Sequence, residues 1–518
     1  MKRLLSGMVL YFIWTGWAAA QQPTTLNQVY TPNGNANGGI SSIIAFDADS
    51  AYFLGGVIDF PTTTLQELTF SKFEYENGIT RYFKISYPGR IFYTVNNAFV
   101  YQDGFVYIGA VSEDSAGISR THLLKLHPMG ELVWSREYEH LNEMCVQNLL
   151  AHPGGGFLLT GWQDNGFMSD NTVWNQAEMF LMRVDSAGNF LWKKSAGIAD
   201  GLINALGYCI YITSTGEYIV SGAEIKQAVN TSQIYSNGFF VKFNENGTKT
   251  VKKKGRYGQD EWVVGSLVSL DNNLILAPSN YGHAINFSAF SVPAVMVMDE
   301  NLNEISSKVL DSIPRAGSYG LGYCKYAPDG NLVCQGYYDK PMDEYQWNFS
   351  VAMAHKITPQ GDVIWKREYV YNELHSRNFL YDIEPLPDGG LLLAGQTMDE
   401  LNLTGNQQQR MWVVRTDEWG CVVPGCQYLD TKEPIPGVIS VGIFPNPVTD
   451  RLNVYNPVHG SELNGFMTDI HGKRVVQGIH IPPSGTAIIP MEHLPSGVYV
   501  LNLTDSKGNN HSEKIIKN

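Results

Sequence analysis

One phrase occurs three times and limits what the chain can fold into more than any other feature. Phe180-Leu181-Met182-Arg183-Val184-Asp185-Ser186-Ala187-Gly188-Asn189-Phe190-Leu191-Trp192 reads as two short strands around a tight turn. Leu124 to Trp134 and His355 to Trp365 repeat it, and each time the tryptophan follows the glycine by four residues. Aliphatic and aromatic residues favour the strands, and glycine favours the turn. Self-similarity of this kind marks a repeat architecture, in which no single unit can bury its own apolar face.

Weaker copies extend the pattern from about residue 40 to residue 420. Each begins with a strand, a tight turn and a second strand that usually ends in glycine. These hairpins run from Ile43 to Gly55, Phe99 to Gly109, Leu149 to Gly161, Ile210 to Gly222, Val268 to Ala277, Tyr326 to Gly336 and Ile383 to Gly395. A longer polar and aromatic loop follows, then a third strand, a second turn and a fourth strand. The second turn falls at Gly78, Gly130, Gly188, Gly247, Asn301, Gly361 and Gly420, between 52 and 60 residues apart. Asn301 is expected to replace glycine because asparagine tolerates the left-handed conformation.

Seven four-stranded units set radially bury both faces of every sheet and leave only short edges. The expected fold is therefore all-β, a seven-bladed β-propeller over residues 21–430. Trp134, Trp192 and Trp365 are expected on outer strands, packed between blades. Arg136-Glu137-Tyr138 and Arg367-Glu368-Tyr369 recur at equivalent positions and suggest an ion pair between blades. In the last unit Pro424 stands where tryptophan would, and it breaks the strand. Leu26-Asn27-Gln28-Val29-Tyr30 is expected to supply the missing outer strand and join the ends of the ring.

The start of the chain reads as a secretion signal over residues 1–20: Lys2 and Arg3, then an apolar run, then Ala18-Ala19-Ala20 with cleavage after Ala20. No later stretch is apolar for long enough to cross a bilayer as a helix. The formal net charge of −14 argues against non-specific attraction to nucleic acid or anionic lipid. Export permits disulfides. Cys324 and Cys334 flank Pro328-Asp329-Gly330 symmetrically and fit opposite places on a hairpin, Cys421 and Cys426 enclose a short loop, and Cys145 and Cys209 remain as a third candidate pair in neighbouring repeats.

Residues 431–438 form a proline-containing linker, and residues 439–518 carry their own alternating strands, the pattern of a small β-sandwich. Three motifs stand in order there: Phe444-Pro445-Asn446-Pro447-Val448 with Asp450 and Leu452, then Asp469-Ile470-His471-Gly472-Lys473, then Leu494-Pro495-Ser496-Gly497-Val498-Tyr499. The chain finishes Glu513-Lys514-Ile515-Ile516-Lys517-Asn518. This segment resembles the type A C-terminal sorting domain of proteins exported by the type IX secretion system of Bacteroidota. The resemblance implies recognition by that machinery at the outer membrane, removal of the domain near the linker, and a secreted or surface-attached product. The Asp185 to Trp192 phrase is also similar to the tryptophan-docking motif of quinoprotein propellers, with one residue fewer between Asp and Gly. The Asp-box of sialidases differs from it in both spacings.

The chain contains no HExxH, GxSxG, GxxxxGK[ST] or EF-hand pattern, and no cysteine and histidine spacing that suggests zinc, so no cofactor or metal is expected from sequence. In a four-stranded blade the first and third turns share one face, and here both are tight. The second loops and the connections between blades share the other face, and here they are long. Long loops on a rigid scaffold are where binding usually resides. That face carries Trp162, Trp174, Tyr281, His283, Tyr337, Tyr338, Tyr345 and Trp347 as candidate ligand-binding residues. A glycan or a protein suits such an aromatic and acidic face. A polysaccharide hydrolase or lyase is the competing reading, and it would need two convergent carboxyl groups near the axis.

Overall fold

The computed structural model describes residues 25–517 outside 31–36, 46–48, 59–65, 76, 86–89, 94–97, 117–118, 139–143, 165–176, 228–233, 245–247, 257–259, 286–287, 312–314, 317–319, 342–347, 372–375, 400–408, 424–425, 427–440, 445, 457–461, 484 and 506–509. The chain divides into two compact units, 1–426 and 427–518. Apart from two single-turn 3-10 helices, Ile198–Asp200 and Asp271–Asn273, the regular structure described is all strand. The expected signal cleavage at Ala20, and the linker at 431–438, lie outside the described residues.

Seven antiparallel four-stranded repeats make up the described part of the first unit. Repeat 1 comprises Asn37–Ala45, Ser50–Ile58, Gln66–Glu74 and Gly78–Ile85. Repeat 2 has a first strand in two pieces, Arg90–Tyr93 and Phe99–Gln102, followed by Phe105–Asp114, Ser119–Leu126 and Leu132–Tyr138. Repeat 3 comprises Met144–Ala151, Phe157–Asp164, Ala177–Val184 and Phe190–Ala196, and repeat 4 Ala205–Ile212, Tyr218–Gln227, Ile234–Phe243 and Lys249–Arg256. Repeat 5 again splits its first strand, into Asp260–Val264 and Val268–Leu270, before Leu274–Ile285, Ser288–Asp299 and Glu304–Val309. Repeat 6 comprises Gly320–Tyr326, Leu332–Pro341, Asn348–Ile357 and Val363–Tyr369. Repeat 7 takes Ser376–Pro385, Leu391–Asp399 and Gln409–Thr416 from its own stretch and Leu26–Tyr30 from the chain's start, paired antiparallel from Leu26 opposite Arg415 to Tyr30 opposite Met411. The early strand thus completes the last repeat as the sequence suggested. Asn27 fixes it, accepting from Trp412 Nε1 at 2.6 Å and donating to the Val370 carbonyl at 3.0 Å.

One contact recurs around the ring. The outer strand of each repeat grips the second turn of the next. Added β-carbons at Gly188 and Gly420 would stand 2.9 Å from Trp134 and 2.8 Å from Trp365. The Tyr138 and Tyr369 hydroxyls donate to the Gly188 and Gly420 carbonyls at 2.8 and 2.9 Å. Phe83 packs on Gly130 in the same way, Lys194 donates to the Asn244 carbonyl at 2.9 Å, and Lys252 donates to the Leu302 carbonyl. Lys308 pairs with Asp362. Tyr30 lies against Gly78, its hydroxyl 2.8 Å from where a β-carbon would be, so repeat 7 meets repeat 1 through the same device. The three tryptophans are therefore packing residues. At the expected ion pair, Arg136 Nε donates to the Ala187 carbonyl of the next repeat at 3.0 Å, and its charge helps to lower the Asp185 carboxyl in the same turn.

The turn itself is built by its aspartate. Asp185 Oδ1 accepts from the amides of Ala187 and Asn189 at 2.9 and 2.8 Å, and Asp299 Oδ1 accepts from Asn301 and Asn303 at the same two distances. In repeat 5 the left-handed residue is Leu302, at φ 65°, and not Asn301. Position in the turn, three after the aspartate, decides the conformation. Leu302 is 2% exposed, and its burial offsets a left-handed cost of roughly 1–2 kcal/mol.

The second compact unit pairs a three-stranded sheet (Gly442–Phe444, Arg451–Tyr455, Thr486–Pro490) with a four-stranded one (Arg474–Ile481, Leu463–Asp469, Gly497–Asp505, Asn510–Lys517). Val448, Leu452, Met467, Ile481, Leu501 and Ile515 are among the residues of its core. Each sequence motif has a mechanical task. Asn446 clasps the last strand by donating to the Lys514 carbonyl at 2.7 Å and accepting from the Ile516 amide at 2.8 Å. Asp469 builds the turn seen at Asp185, accepting from His471 and Lys473 amides at 2.9 and 3.0 Å. The Tyr499 hydroxyl ties back to the Pro495 carbonyl at 2.7 Å.

Candidate functional site

First strands of neighbouring repeats approach one another around an axis. Asn37–Ala45 meets both Ser376–Pro385 and Phe99–Gln102, and Met144–Ala151 meets both Phe99–Gln102 and Ala205–Ile212. Five of these strands carry a bulge, where the pairing register skips. The inserted residues are Ser41, Gln147, Tyr208, Tyr381 and, in repeat 6, Gly322 with Tyr323. A bulge re-aims a side chain that strict alternation would hide. Leu380 and Asp382 are buried, whereas Tyr381 between them keeps part of its surface accessible; Gly207, Tyr208 and Cys209 show the same pattern.

The bulge explains the glycine that closes the first hairpin of repeats 1, 3, 4 and 7. The displaced first strand pushes a carbonyl into the space a β-carbon would need. This holds for Gly39 against Gly55, Cys145 against Gly161, Leu206 against Gly222 and Phe379 against Gly395.

Tyr208, Tyr323 and Tyr381 form an arc on the inner edge of repeats 4, 6 and 7, with Gln147 and Ser41 at the same structural position in repeats 3 and 1. Burial pushes the Tyr208 phenol up to about 12 and pushes that of Tyr381 further still, while both residues keep some accessible surface. Tyr381 belongs to a larger aromatic group. Its ring is parallel to that of Phe379, with centroids 6.2 Å apart, and Phe379 meets Tyr337 edge to face at 5.0 Å. Tyr337 and Phe379 lie on the halves of their strands that lead to the long loops, and Tyr381 lies just past the middle of its strand.

One ionic group lies nearby. Lys325 binds Asp382 at 3.1 Å and Glu384 at 2.7 Å. Asp382 also accepts from the Ile43 and Ile383 amides, both at 2.8 Å. Burial raises Glu384 above the usual carboxylate range despite the lysine. The group ties repeats 6, 7 and 1 together.

Of the aromatic residues named from sequence, Trp162, Tyr281 and Tyr337 are half-buried and stand on strands. His283 stands on Leu274–Ile285. Trp174, Tyr345 and Trp347 lie outside the described residues. Tyr338 corrects the expectation: it is 0% exposed and packs with Leu276, Leu321 and Val351. Adjacent strand residues point to opposite faces, so Tyr337 meets repeat 7 and Tyr338 enters the core shared with repeat 5. Phe379, Tyr381, Tyr208 and Tyr323 were missed, although each lies two to four residues before the start of a hairpin already recognised.

Cys324–Cys334 and Cys421–Cys426 are disulfides, as their spacings suggested. The third candidate pair, Cys145 and Cys209, is not joined in a disulfide, and burial raises the Cys209 thiol to about 11. Their positions differ, since Cys145 precedes the bulge of its strand and Cys209 follows it. Among the described residues no group of three or more His, Cys, Asp or Glu side chains gathers to hold a metal, and no helix is long and apolar enough to cross a membrane.

Solved structures similar to this chain include a protein of unknown function from Dyadobacter fermentans (12% identity, 76% of this chain and 100% of that one, TM-score 0.43). Others are a protein of unknown function from Bacteroides caccae (12% identity, 64% and 94%, TM-score 0.31) and the Penicillium chrysogenum alpha-L-arabinanase complexed with arabinobiose (11% identity, 62% and 94%, TM-score 0.38). No curated protein sequence matches. Residues 442–518 match the family described as "Secretion system C-terminal sorting domain"; the chain therefore ends in a type IX secretion C-terminal sorting domain, which directs export to the cell surface or out of the cell.

Proposed function

We propose that this exported protein is a binding module whose ligand enters the propeller axis from the long-loop side. The arc of half-accessible tyrosines at bulge positions 208, 323 and 381 carries the reading. Aromatic rings held rigidly in an enclosed site offer large contact area with little side-chain ordering cost. Residues 1–20 act as the inner-membrane signal, and the sorting domain is cut away near residues 431–438 to leave a released or surface-held propeller in a Bacteroidota cell. The test is binding of the mature chain to glycan and peptide arrays, compared with Tyr208→Ala. Weakened capture by that variant supports the axis; equal capture by both proteins contradicts it.

The hydrolase or lyase reading calls for a general acid and a base or nucleophile. Asp382 and Glu384 share a strand with Phe379 and Tyr381, but both are bound to Lys325, and Asp382 also accepts backbone amides. That environment suits a structural brace better than proton transfer. Release of reducing ends from polysaccharide by the mature chain, lost in Glu384→Gln, would favour catalysis instead.

A further inference from the structure

Resting on the axis as the binding site, we propose that repeats 6 and 7 hold a subsite for a neutral carbohydrate, formed by Tyr337, Phe379 and Tyr381 and braced by the amides of Gln396 and Gln409.

The assembly is pre-organised. Phe379 faces Gln396 directly across the sheet. Gln409 Nε2 donates to Gln396 Oε1, and Gln396 in turn hydrogen-bonds the Tyr381 side chain. The Tyr381 carbonyl accepts from Gln335 Nε2 at 3.0 Å, so ring and backbone are both held. The amides rest against repeat 1. A β-carbon at Gly39 would stand 2.7 Å from Gln396 Oε1 and 3.3 Å from Gln409 Nε2. A glycine there lets the amide pair approach the backbone closely.

The chemistry fits a sugar. A pyranose has an apolar face of C–H bonds, which an aromatic face attracts through its negative quadrupole, and a rim of hydroxyls that both donate and accept. Amide and phenol groups match that rim because each of them also does both. The planes of Phe379 and Tyr381 differ by 1°, and Tyr337 stands edge-on at 81° to Phe379. Two parallel rings with one upright ring offer aromatic surface against which the apolar face of a sugar chair can pack. The five side chains carry no formal charge. From these five side chains, charged peptides and acidic glycans would gain no counter-charge for the hydration they lose, a cost that neutral sugars avoid.

The experiment titrates the mature chain with neutral hexasaccharides (β-1,4-glucan, β-1,4-mannan, β-1,4-xylan and α-1,5-arabinan), with a sulfated hexasaccharide and with a random peptide pool. Tyr381→Ala and Phe379→Ala are compared with the parent protein, and Tyr381→Phe retains the ring. At least one neutral glycan is expected to bind, with Kd at least ten-fold weaker in both alanine variants and within about three-fold in Tyr381→Phe. If an alanine variant does not fold, Gln396→Leu, which releases the Tyr381 ring, gives the same reading. Unchanged affinity in these variants overturns the subsite. Failure of every neutral glycan overturns the ligand class. Peptide binding that weakens in Tyr208→Ala would overturn it too, yet leave the axis as the binding site.

Discussion

The Tyr138 hydroxyl donates to the Gly188 carbonyl in the next repeat at 2.8 Å, and Tyr369 does the same to Gly420 at 2.9 Å. Both phenols are buried, and burial raises their pKa values far above the ordinary range. Removing either hydroxyl leaves a buried carbonyl without that donor. Tyr138→Phe and Tyr369→Phe should each lower stability by about 1–2 kcal/mol in urea unfolding, and the double variant by nearly the sum, since the sites are far apart.

Closure of the ring depends on Leu26–Tyr30. Deleting residues 21–32 exposes the edge of Gln409–Thr416 and orphans the Trp412 indole, so the melting temperature should fall sharply. Asn27→Ala removes two hydrogen bonds and should cost about 1–3 kcal/mol. A deletion variant that melts with the parent protein would refute this closure.

The glycine opposite each bulge should resist substitution. Gly161→Ala drives a β-carbon into the Cys145 carbonyl, and a cost of about 3 kcal/mol is expected from overpacking. Gly154→Ala, on the nearby tight turn, meets only the His152 ring at 3.1 Å and serves as the control, with a change below about 1 kcal/mol.

Acid should destabilise the protein through two buried histidines. Burial, with Arg90 and Arg120 alongside, lowers His122 to about 4; burial, with Lys366, lowers His355 to about 3. The unfolded chain takes up these protons near pH 6.5, before the folded chain does. Their contribution is therefore full above pH 6.5 and is lost as pH falls, through about 4 for His122 and about 3 for His355, on the order of 3–5 kcal/mol each. Neither ring nitrogen of His355 has a hydrogen-bond partner among the described residues. His355→Leu should flatten the acid limb of the stability profile and raise stability at pH 5.

How much of this was legible beforehand follows from what each feature depends on. The turns at Asp185, Asp417 and Asp469 are local, so their residues announce them. The closing strand was legible because Pro424 left a gap that only Leu26–Tyr30 could fill. Leu302 was not, because asparagine's tolerance of the left-handed region suggested its neighbour, while the aspartate at position 299 sets the count. Tyr338 was misplaced because two adjacent aromatics on a strand look alike, and only alternation assigns one of them to the core. Tyr208 and Tyr381 were hidden for a deeper reason: a bulge breaks the two-residue period on which any inside–outside assignment from sequence rests.

Hydrogen–deuterium exchange of the mature protein, with and without the neutral hexasaccharides, tests the central claim most directly. The account predicts slowed exchange in Ala205–Ile212, Gly320–Tyr326 and Ser376–Pro385, the strands that carry the inner tyrosines. Slowing confined to the tight turns at Asp185–Asn189 and Asp417–Cys421, or no slowing with any of the four sugars, would contradict it.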